Sequence, residues 1–239
     1  MNRSKFLKAE WRKLIMANYK FDPKLLKDFL PAKTELDFCY NNCYVSLVGF
    51  MFQNVRVTGL KIPFHINFPE VNLRFYVRYK KDNEWQRGVV FIKEIVPKPV
   101  ISLIANRFFY ENYITLPMKY SWKFTQDQIN VFYTWKNNGK WNKLEVFADS
   151  QPISLLENSH EEFITEHFWG YSSIDKQRTG EYQVDHPRWV LYPVKNYFLN
   201  CDFGELYGDA FADLGRQKPE SIFLAEGSEI IVYKKQILI

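Results

Sequence analysis

Residues 70–80 alternate strictly between apolar and mostly polar side chains, and this period of two constrains the fold more than any other segment. One set of alternate positions is apolar and holds Val71, Leu73, Phe75, Val77 and Tyr79. The other set holds Glu70, Asn72, Arg74, Tyr76 and Arg78. Because successive side chains of a strand point to opposite faces of a sheet, the pattern predicts a strand with one face in a core.

Further strands are predicted on both sides of this segment. Residues 45–57 read as a long strand whose apolar positions share one face, namely Val45, Leu47, Met51, Val55 and Val57. Asp82-Asn83 predicts a turn into a returning strand that ends near residue 95. Asn138-Gly139 predicts a tight hairpin turn, because both residues tolerate positive φ. The other predicted strands lie near 117–125, 128–136, 141–149 and 229–233.

Helices are predicted where the period lengthens or a cap appears. Residues 5–30 read as helical, with Asp22 as an N-cap and Pro23 at the first helical position after it. Ser159 and Glu162 have the spacing of a capping box and predict a helix through Phe168. Short helices are also predicted at about 99–108 and 209–214, and a hairpin turn at 178–180 between strands 171–176 and 181–186.

These elements predict an α+β, mainly β protein. The chain has 239 residues and 18% aromatic residues, which supply one sizeable core. Because there is no internal repeat, low-complexity tract or linker, we expect residues 1–239 to form a single domain. The pattern by itself does not distinguish a closed barrel from a sandwich.

Charge and cysteine usage limit the partners that we expect. The formal net charge is +5, but the 32 basic residues are scattered and do not form the stripe expected of a nucleic-acid-binding surface. No apolar stretch reaches the ~18–20 residues that span a bilayer, so no membrane partner is expected. Three cysteines and a polar start without an apolar leader segment favour a reduced, cytoplasmic protein. A homo-oligomer is left open.

Five blocks carry a resemblance to the YqjF-like family of uncharacterised bacterial proteins, within the acetoacetate decarboxylase-like superfamily. The blocks begin AEWRKLIMANYKFDP, YVSLVGFMFQNVRV, RGVVFIKEIVPKP, EEFITEHFWGY and VDHPRWVLYPV, and they span residues 9–194. The resemblance implies a closed, cone-shaped β-barrel with a few helices packed outside. It also implies a pocket for a small organic acid or carbonyl compound.

The resemblance can be carried over at three positions and fails at two. Arg12 and Arg107 are similar to superfamily motif arginines, and Glu70 in Phe-Pro-Glu is similar to the active-site glutamate. The two lysine positions, seven and eight residues after Arg107, hold Ile114 and Thr115. A lysine amine is needed to form a Schiff base with a carbonyl substrate, so the resemblance does not imply that chemistry here. The family's other acidic residue is expected near residues 44–48, where no carboxylate occurs.

Five side chains are therefore candidates for a site. Glu70 is the candidate acid or base, since burial in an apolar barrel would raise its pKa, whereas on an exposed strand it would be an ordinary surface glutamate. Arg12 and Arg107 are candidates for binding an anionic group, and we expect both to converge with Glu70 on one cavity. Tyr113 either lines the pocket or fills the core. His186, before Pro187, either shuttles protons or makes a structural hydrogen bond in a turn.

Metals and cofactors have no support in the sequence. The two cysteines Cys39 and Cys43 lack a second pair at zinc-ligand spacing, and His160 and His167 do not fit the His-Glu-x-x-His pattern. Phosphate-binding glycine motifs and a Gly-x-Ser-x-Gly elbow are also missing.

The sequence leaves three functional readings open. The first is a barrel that binds a small organic acid or carbonyl compound and performs acid–base chemistry, such as hydration, dehydration or enolisation, without a lysine imine. The second is a non-catalytic protein that binds or senses a small molecule. The third is an oligomer-forming scaffold without a ligand.

Overall fold

The computed structural model describes residues 3–239, and β-strands dominate this part of the chain. The strands are β1 (Lys5–Phe21), β2 (Glu35–Leu36), β3 (Cys43–Val57), β4 (Phe68–Lys81), β5 (Glu84–Val96), β6 (Tyr113–Thr115), β7 (Met118–Phe124), β8 (Gln128–Asn137), β9 (Lys140–Asp149), β10 (Ile153–Ser154), β11 (Trp169–Ser173), β12 (Thr179–Asp185), β13 (Val190–Tyr192), β14 (Val194–Asn200), β15 (Ser221–Tyr233) and β16 (Gln236–Leu238). The α-helices are α1 (Pro99–Phe109), α2 (His160–Thr165) and α3 (Phe203–Tyr207), and 3₁₀ helices span Pro23–Phe29 and Asp209–Arg216. None of the described helices is long and apolar enough to cross a membrane.

Twelve strands form one large sheet that closes partly into a ring. Around the ring, β15, β1, β3, β4 and β5 pair in antiparallel order, and β5 then pairs with β11 in parallel. β11 pairs with β12, and β12 returns to β15. The pairings of β5 with β11 and of β12 with β15 each join only two residue pairs. The prediction of an α+β, mainly β protein is confirmed.

A second sheet of four strands packs against the outside of the ring. Its order is β14-β9-β8-β7, and the turn between β8 and β9 has positive φ at Asn138 and Gly139, as the sequence predicts. Its inward side chains meet the apolar face of β4 and neighbouring strands, in a core that includes Val71, Leu73, Phe75, Tyr133 and Trp135. At Gly49 of β3, a Cβ would lie 2.9 Å from the Tyr133 ring, so glycine lets the two sheets approach closely.

The other face of β4 points into the ring, not to solvent. Glu70, Asn72 and Arg74 are all buried there, on the even-numbered positions of the strand. A second core, which includes Val48, Phe50 and Phe68, surrounds them. The clearest strand in the sequence is therefore buried on both faces, and its polar face belongs to the interior.

The prediction of a helix over residues 5–21 is wrong, because this segment is strand β1. Its ring-facing apolar residues are Leu7, Ala9, Trp11, Leu14 and Met16. The spacing changes from two to three after Trp11, where Lys13 has φ 54° and the pairing with β3 shifts register. Such a bulge puts one extra residue into a strand, and here it makes apolar positions 7, 11 and 14 resemble a helical period. Asp22 and Pro23 do begin a helix, the 3₁₀ helix Pro23–Phe29.

A second bulge explains another difference. In β3, Asn54 has φ 54° and the pairing with β1 shifts between Gln53 and Arg56. Val45 therefore packs between the sheets, whereas Val55 faces the ring. The prediction that these residues share a face is wrong beyond the bulge.

Smaller differences concern the second half of the chain. α2 is capped by Ser159, as predicted, but ends at Thr165 instead of Phe168. The predicted hairpin is present as β11 and β12, but its turn lies at residues 174–178 and not at 178–180, since Gly180 pairs within β12. β15 is longer than the predicted 229–233 strand and begins at Ser221.

Candidate functional site

A cavity of about 140 Å³ lies inside the ring. An apolar cavity of about 150 Å³ can hold a molecule of the size of benzene, so this one has room for a small organic compound. Its walls are mainly aromatic and include Phe6, Trp11, Phe50, Phe52, Phe68, Phe91, Phe109, Trp169 and Trp189. Most of these side chains lie at inward-facing positions of the strands, and Trp189 directly precedes β13. Phe109 belongs to α1, whose Ile101, Ile104 and Ala105 also line the cavity.

Glu70 lies in this cavity near the start of β4, with only 2% of its surface exposed. Asn72 Nδ2 donates a hydrogen bond of 2.9 Å to Oε1, and the Tyr113 hydroxyl donates one of 3.0 Å to Oε2. Burial raises the pKa of the Glu70 carboxyl to about 7, although these two hydrogen bonds and the charge of Arg74 favour the ionised form. A carboxyl with a pKa near neutrality can both accept and donate protons at physiological pH.

Two further glutamates line the same cavity. Glu94 on β5 lies opposite Asn72 in the ladder with β4, and 2% of its surface is exposed. Burial raises the pKa of Glu94 well above its ordinary value, and the charges of Glu111 and Glu70 raise it further. Burial likewise raises the pKa of Glu111, after the C-terminal end of α1, to about 8. The cavity therefore contains three carboxyls whose pKa values are raised by burial.

Among the described residues that line the cavity, Arg74 is the only arginine, and no lysine occurs. It lies two residues beyond Asn72 on the inward face of β4, and 9% of its surface is exposed. Its Nη2 lies 3.4 Å from the carbonyl oxygen of Ile164, and its Nε is buried without a hydrogen-bond partner among the described residues. A guanidinium with a free donor inside a cavity is suited to binding an oxyanion.

The structure brings together three of the five side chains that the sequence singles out. Tyr113, on β6, contacts Glu70 directly. His186 lines the cavity and stacks on Trp189 at 4.3 Å, and its Nδ1 donates to the Pro187 carbonyl oxygen at 3.0 Å. Burial lowers the pKa of His186, which favours the neutral ring.

The two arginines lie elsewhere, so the expected convergence of Arg12 and Arg107 with Glu70 is wrong. The guanidinium of Arg12 lies 2.6 Å from Glu10 and 3.8 Å from Glu226, and it does not line the cavity. The β1 bulge next to Arg12 changes the direction of the strand's side chains at this point. Arg107 is exposed on the outer side of α1, whose inner side faces the cavity.

Sequence reasoning missed several polar residues of the cavity, among them Arg74, Glu94, Glu111 and His167. A signal existed for Glu94, which follows Lys93 within the mainly apolar segment that ends β5. His167 is buried 3.4 Å from Asp37, and burial lowers its pKa to about 4, so it is a neutral wall residue. Among residues 3–239, no group of three His, Cys, Asp or Glu side chains is arranged to hold a metal ion.

The positions where the superfamily has lysines are occupied differently here. Ile114 packs in the core between the sheets, and Thr115 Oγ1 lies 2.9 Å from Ser102 Oγ. No lysine occurs among the described residues that line the cavity. The half-buried Lys235 is outside this lining; its Nζ lies 3.5 Å from the centre of the Tyr110 ring, and its charge interacts with the wall residue Glu111.

Comparison with proteins of known structure shows the fold. Over its whole length this chain resembles the enduracididine biosynthesis enzyme MppR complexed with pyruvate, with a TM-score of 0.69, 12% identity and 92% of that chain covered. It also resembles acetoacetate decarboxylase from Legionella pneumophila, with a TM-score of 0.66, 12% identity, and coverage of 100% of this chain and 90% of that one.

Comparison of sequences shows the family. The chain is 27% identical to the protein YqjF of Bacillus subtilis (strain 168) over 187 residues, which are 77% of this chain and 74% of that protein. Residues 8–229 match the model of DUF2071, which is described as an uncharacterized conserved protein. The chain therefore belongs to the DUF2071 family, is similar to YqjF, and has an acetoacetate decarboxylase-like fold.

Proposed function

We propose that the cavity binds a small organic acid or carbonyl compound and that Glu70 exchanges a proton with it. The observation that carries this proposal is a buried carboxyl with a pKa of about 7, held by Asn72 and Tyr113 in an apolar cavity. The pyruvate complex of the structurally similar enzyme MppR supports a 2-oxo acid as the first compound to test.

In the proposed step, the Glu70 carboxylate accepts a proton from the carbon next to the ligand's carbonyl. The electron pair of the broken C–H bond moves to the carbonyl oxygen and gives an enolate. Arg74 stabilises the charge on that oxygen. Returning the proton from Glu70 restores the ketone, so the step is an enolisation that needs no lysine and no co-reactant.

Proton exchange in D₂O tests this proposal. With pyruvate, we expect the protein to accelerate the loss of the methyl signal in the ¹H NMR spectrum. Glu70→Gln is expected to slow the exchange by about 10²–10⁴-fold, the usual contribution of a general base. Glu157→Gln, which changes an exposed glutamate outside the cavity, is the matched control and should leave the rate unchanged. Equal exchange by the parent and Glu70→Gln would contradict the role of Glu70.

A second candidate is non-catalytic binding of a small molecule. The positions of Arg12 and Arg107 outside the cavity favour it, because the two motif arginines then do not act on a ligand in the cavity. A binding protein would show a ligand-dependent rise in melting temperature without proton exchange. An enzyme would show both, so the two measurements together decide between the candidates.

We also expect that borohydride will not trap pyruvate on the protein. Reduction traps only an imine, and the described wall of the cavity offers no lysine amine. Mass spectrometry after treatment with pyruvate and borohydride checks this. A stoichiometric adduct would contradict the expectation. Since burial lowers the pKa of Lys235 to about 8, Lys235→Met would show whether that amine is responsible.

A further inference from the structure

The polar groups of the cavity form a row along one wall. At one end, the charge of Arg74 acts on Glu70. Glu94 on β5 lies between Glu70 and Glu111, because β5 pairs with β4 on one side and the Glu94 N–H donates to the carbonyl oxygen of Asn112, next to Glu111, on the other. At the other end, Glu111 interacts with Tyr182 and Lys235. The row therefore has a cation at the Glu70 end and two carboxyls, Glu94 and Glu111, further along.

The two ends of this row differ in whether their carboxyl oxygens have hydrogen-bond partners. Both carboxyl oxygens of Glu70 accept hydrogen bonds. In contrast, Glu94 Oε2 and Glu111 Oε1 are buried and have no hydrogen-bond partner among the described residues. An unsatisfied buried acceptor costs roughly 1–3 kcal/mol, and more if it is charged. Glu94 is also almost completely buried and lines the cavity, so its free oxygen is available to a donor within it.

The surroundings of this end suit a cation as the donor. Phe109 and Tyr182 meet edge to face at 5.4 Å, and both line the cavity next to Trp169. Aromatic faces attract ammonium and guanidinium groups, most strongly where water is excluded. Lys235, whose charge interacts with Glu111, has no hydrogen bond to it in the described structure and contacts the ring of Tyr110.

We propose that Glu94 and Glu111 bind a cationic group of the ligand, an alkylammonium or a guanidinium. This proposal rests on the proposed function, since the acid or carbonyl group of the same ligand is held at the Glu70 and Arg74 end. The ligand is thus a small amino or guanidino compound that also carries an acid or carbonyl group. The cation supplies hydrogen bonds to Glu94 Oε2 and Glu111 Oε1, and its charge favours the ionised forms of these two carboxyls.

Binding of a cation should be linked to proton release. The raised pKa values of Glu94 and Glu111 mean that both carboxyls favour the protonated form in the empty cavity. A bound cation favours their ionised forms, so protons leave as it binds. The other titratable groups that face this end are Tyr113, Tyr182 and Lys235. Burial raises the pKa of both tyrosines well above the ordinary value, so they stay neutral at pH 7.

Calorimetry with three six-carbon probes tests the proposal. Hexan-1-amine and hexan-1-ol have the same length and differ in charge, and hexanoate tests the acid-binding end. At pH 7 we expect the amine to bind at least tenfold more tightly than the alcohol, which corresponds to about 1.4 kcal/mol. The heat of amine binding should also depend on the ionisation enthalpy of the buffer, since protons are released.

Variants then locate the cation. Glu94→Gln should abolish the preference for the amine and the proton release while hexanoate binding persists, which also shows that the variant is folded. Glu157→Gln should change neither. If hexanoate binds but the amine binds no better than the alcohol, the cation proposal is overturned and the proposed function stands. If the amine binds through Glu94 but hexanoate and pyruvate do not, the cation site is supported and the proposed function fails. Binding of none of the probes overturns both.

Discussion

Gly227→Ala is expected to lower the free energy of unfolding by about 2–5 kcal/mol. Gly227 has φ +79°, a left-handed conformation that costs a residue with a Cβ roughly 1–2 kcal/mol. It also lies opposite Arg12 at the β1 bulge, where an added Cβ would be 1.9 Å from the carbonyl oxygen of Trp11. Backbone cannot move aside as a side chain can, and the resulting overpacking adds about 1–3 kcal/mol. Urea denaturation followed by tryptophan fluorescence measures the loss.

Gly139→Ala is the matched control for this prediction. Gly139 has nearly the same φ, +81°, but an added Cβ would meet nothing within 4 Å. Its expected cost is therefore only the conformational part, about 1–2 kcal/mol. Equal losses for the two variants would show that the close approach of β15 to β1 at Trp11 contributes nothing.

Glu70→Gln is expected to stabilise the protein at pH 8 by an amount on the order of 3 kcal/mol. Burial raises the pKa of Glu70 from 4.5 to about 7, so between these values the folded protein holds a proton that the unfolded chain has lost. Stability linked to this group therefore falls as pH rises from about 4.5 to about 7, and the full cost is present above pH 7. Glutamine has nearly the same shape but no charge, so the variant avoids this loss.

The comparison is made by urea denaturation at pH 4.5 and at pH 8. At pH 4.5 the Glu70 carboxyl is protonated in the folded protein, and the variant should gain nothing. Glu94 and Glu111 remain in both proteins, and without a charge on Glu70 they ionise more easily, which adds to the gain at pH 8. Glu157→Gln should follow the parent at both pH values. A Glu70→Gln protein that is less stable than the parent at pH 8 would indicate that the ionised carboxylate is favoured in the folded state.

The sequence predicts those parts of the fold where periodicity is uninterrupted. β4 and the hairpin at Asn138-Gly139 are regular, so local patterns suffice to identify them. β1 was predicted as a helix because its bulge at Lys13 alters the apolar spacing. A bulge is stabilised by partner strands, here β3 and β15, which are distant in the sequence and therefore not visible in a local window.

The candidate site is only partly predictable for the same reason. Glu70 and Tyr113 are adjacent in space because β4 and β6 both pair with β5, and family motifs mark Glu70 directly. Glu94 and Arg74 can be recognised as functional candidates only from the closed ring, which shows that their side chains point into the cavity. A polar face on a strand ordinarily indicates that this face is exposed to solvent. Its burial here depends on the tertiary structure and is not visible in the local sequence.

The pairing of β1 with β15 has a consequence for the kinetics of folding. Its register joins Lys5 to Tyr233 and Asn18 to Ser221, so nearly the whole chain lies between the paired residues. Contacts of such large sequence separation form slowly, because the entropy of closing the intervening loop is lost before the contacts are gained. The hairpin of β8 and β9, which are joined by a two-residue turn, can form early. The ring cannot close until β15, its last long strand, pairs with β1. We therefore expect the cavity to form late in folding. An N-terminal fragment that lacks β15 should have no closed ring and should not bind a ligand there.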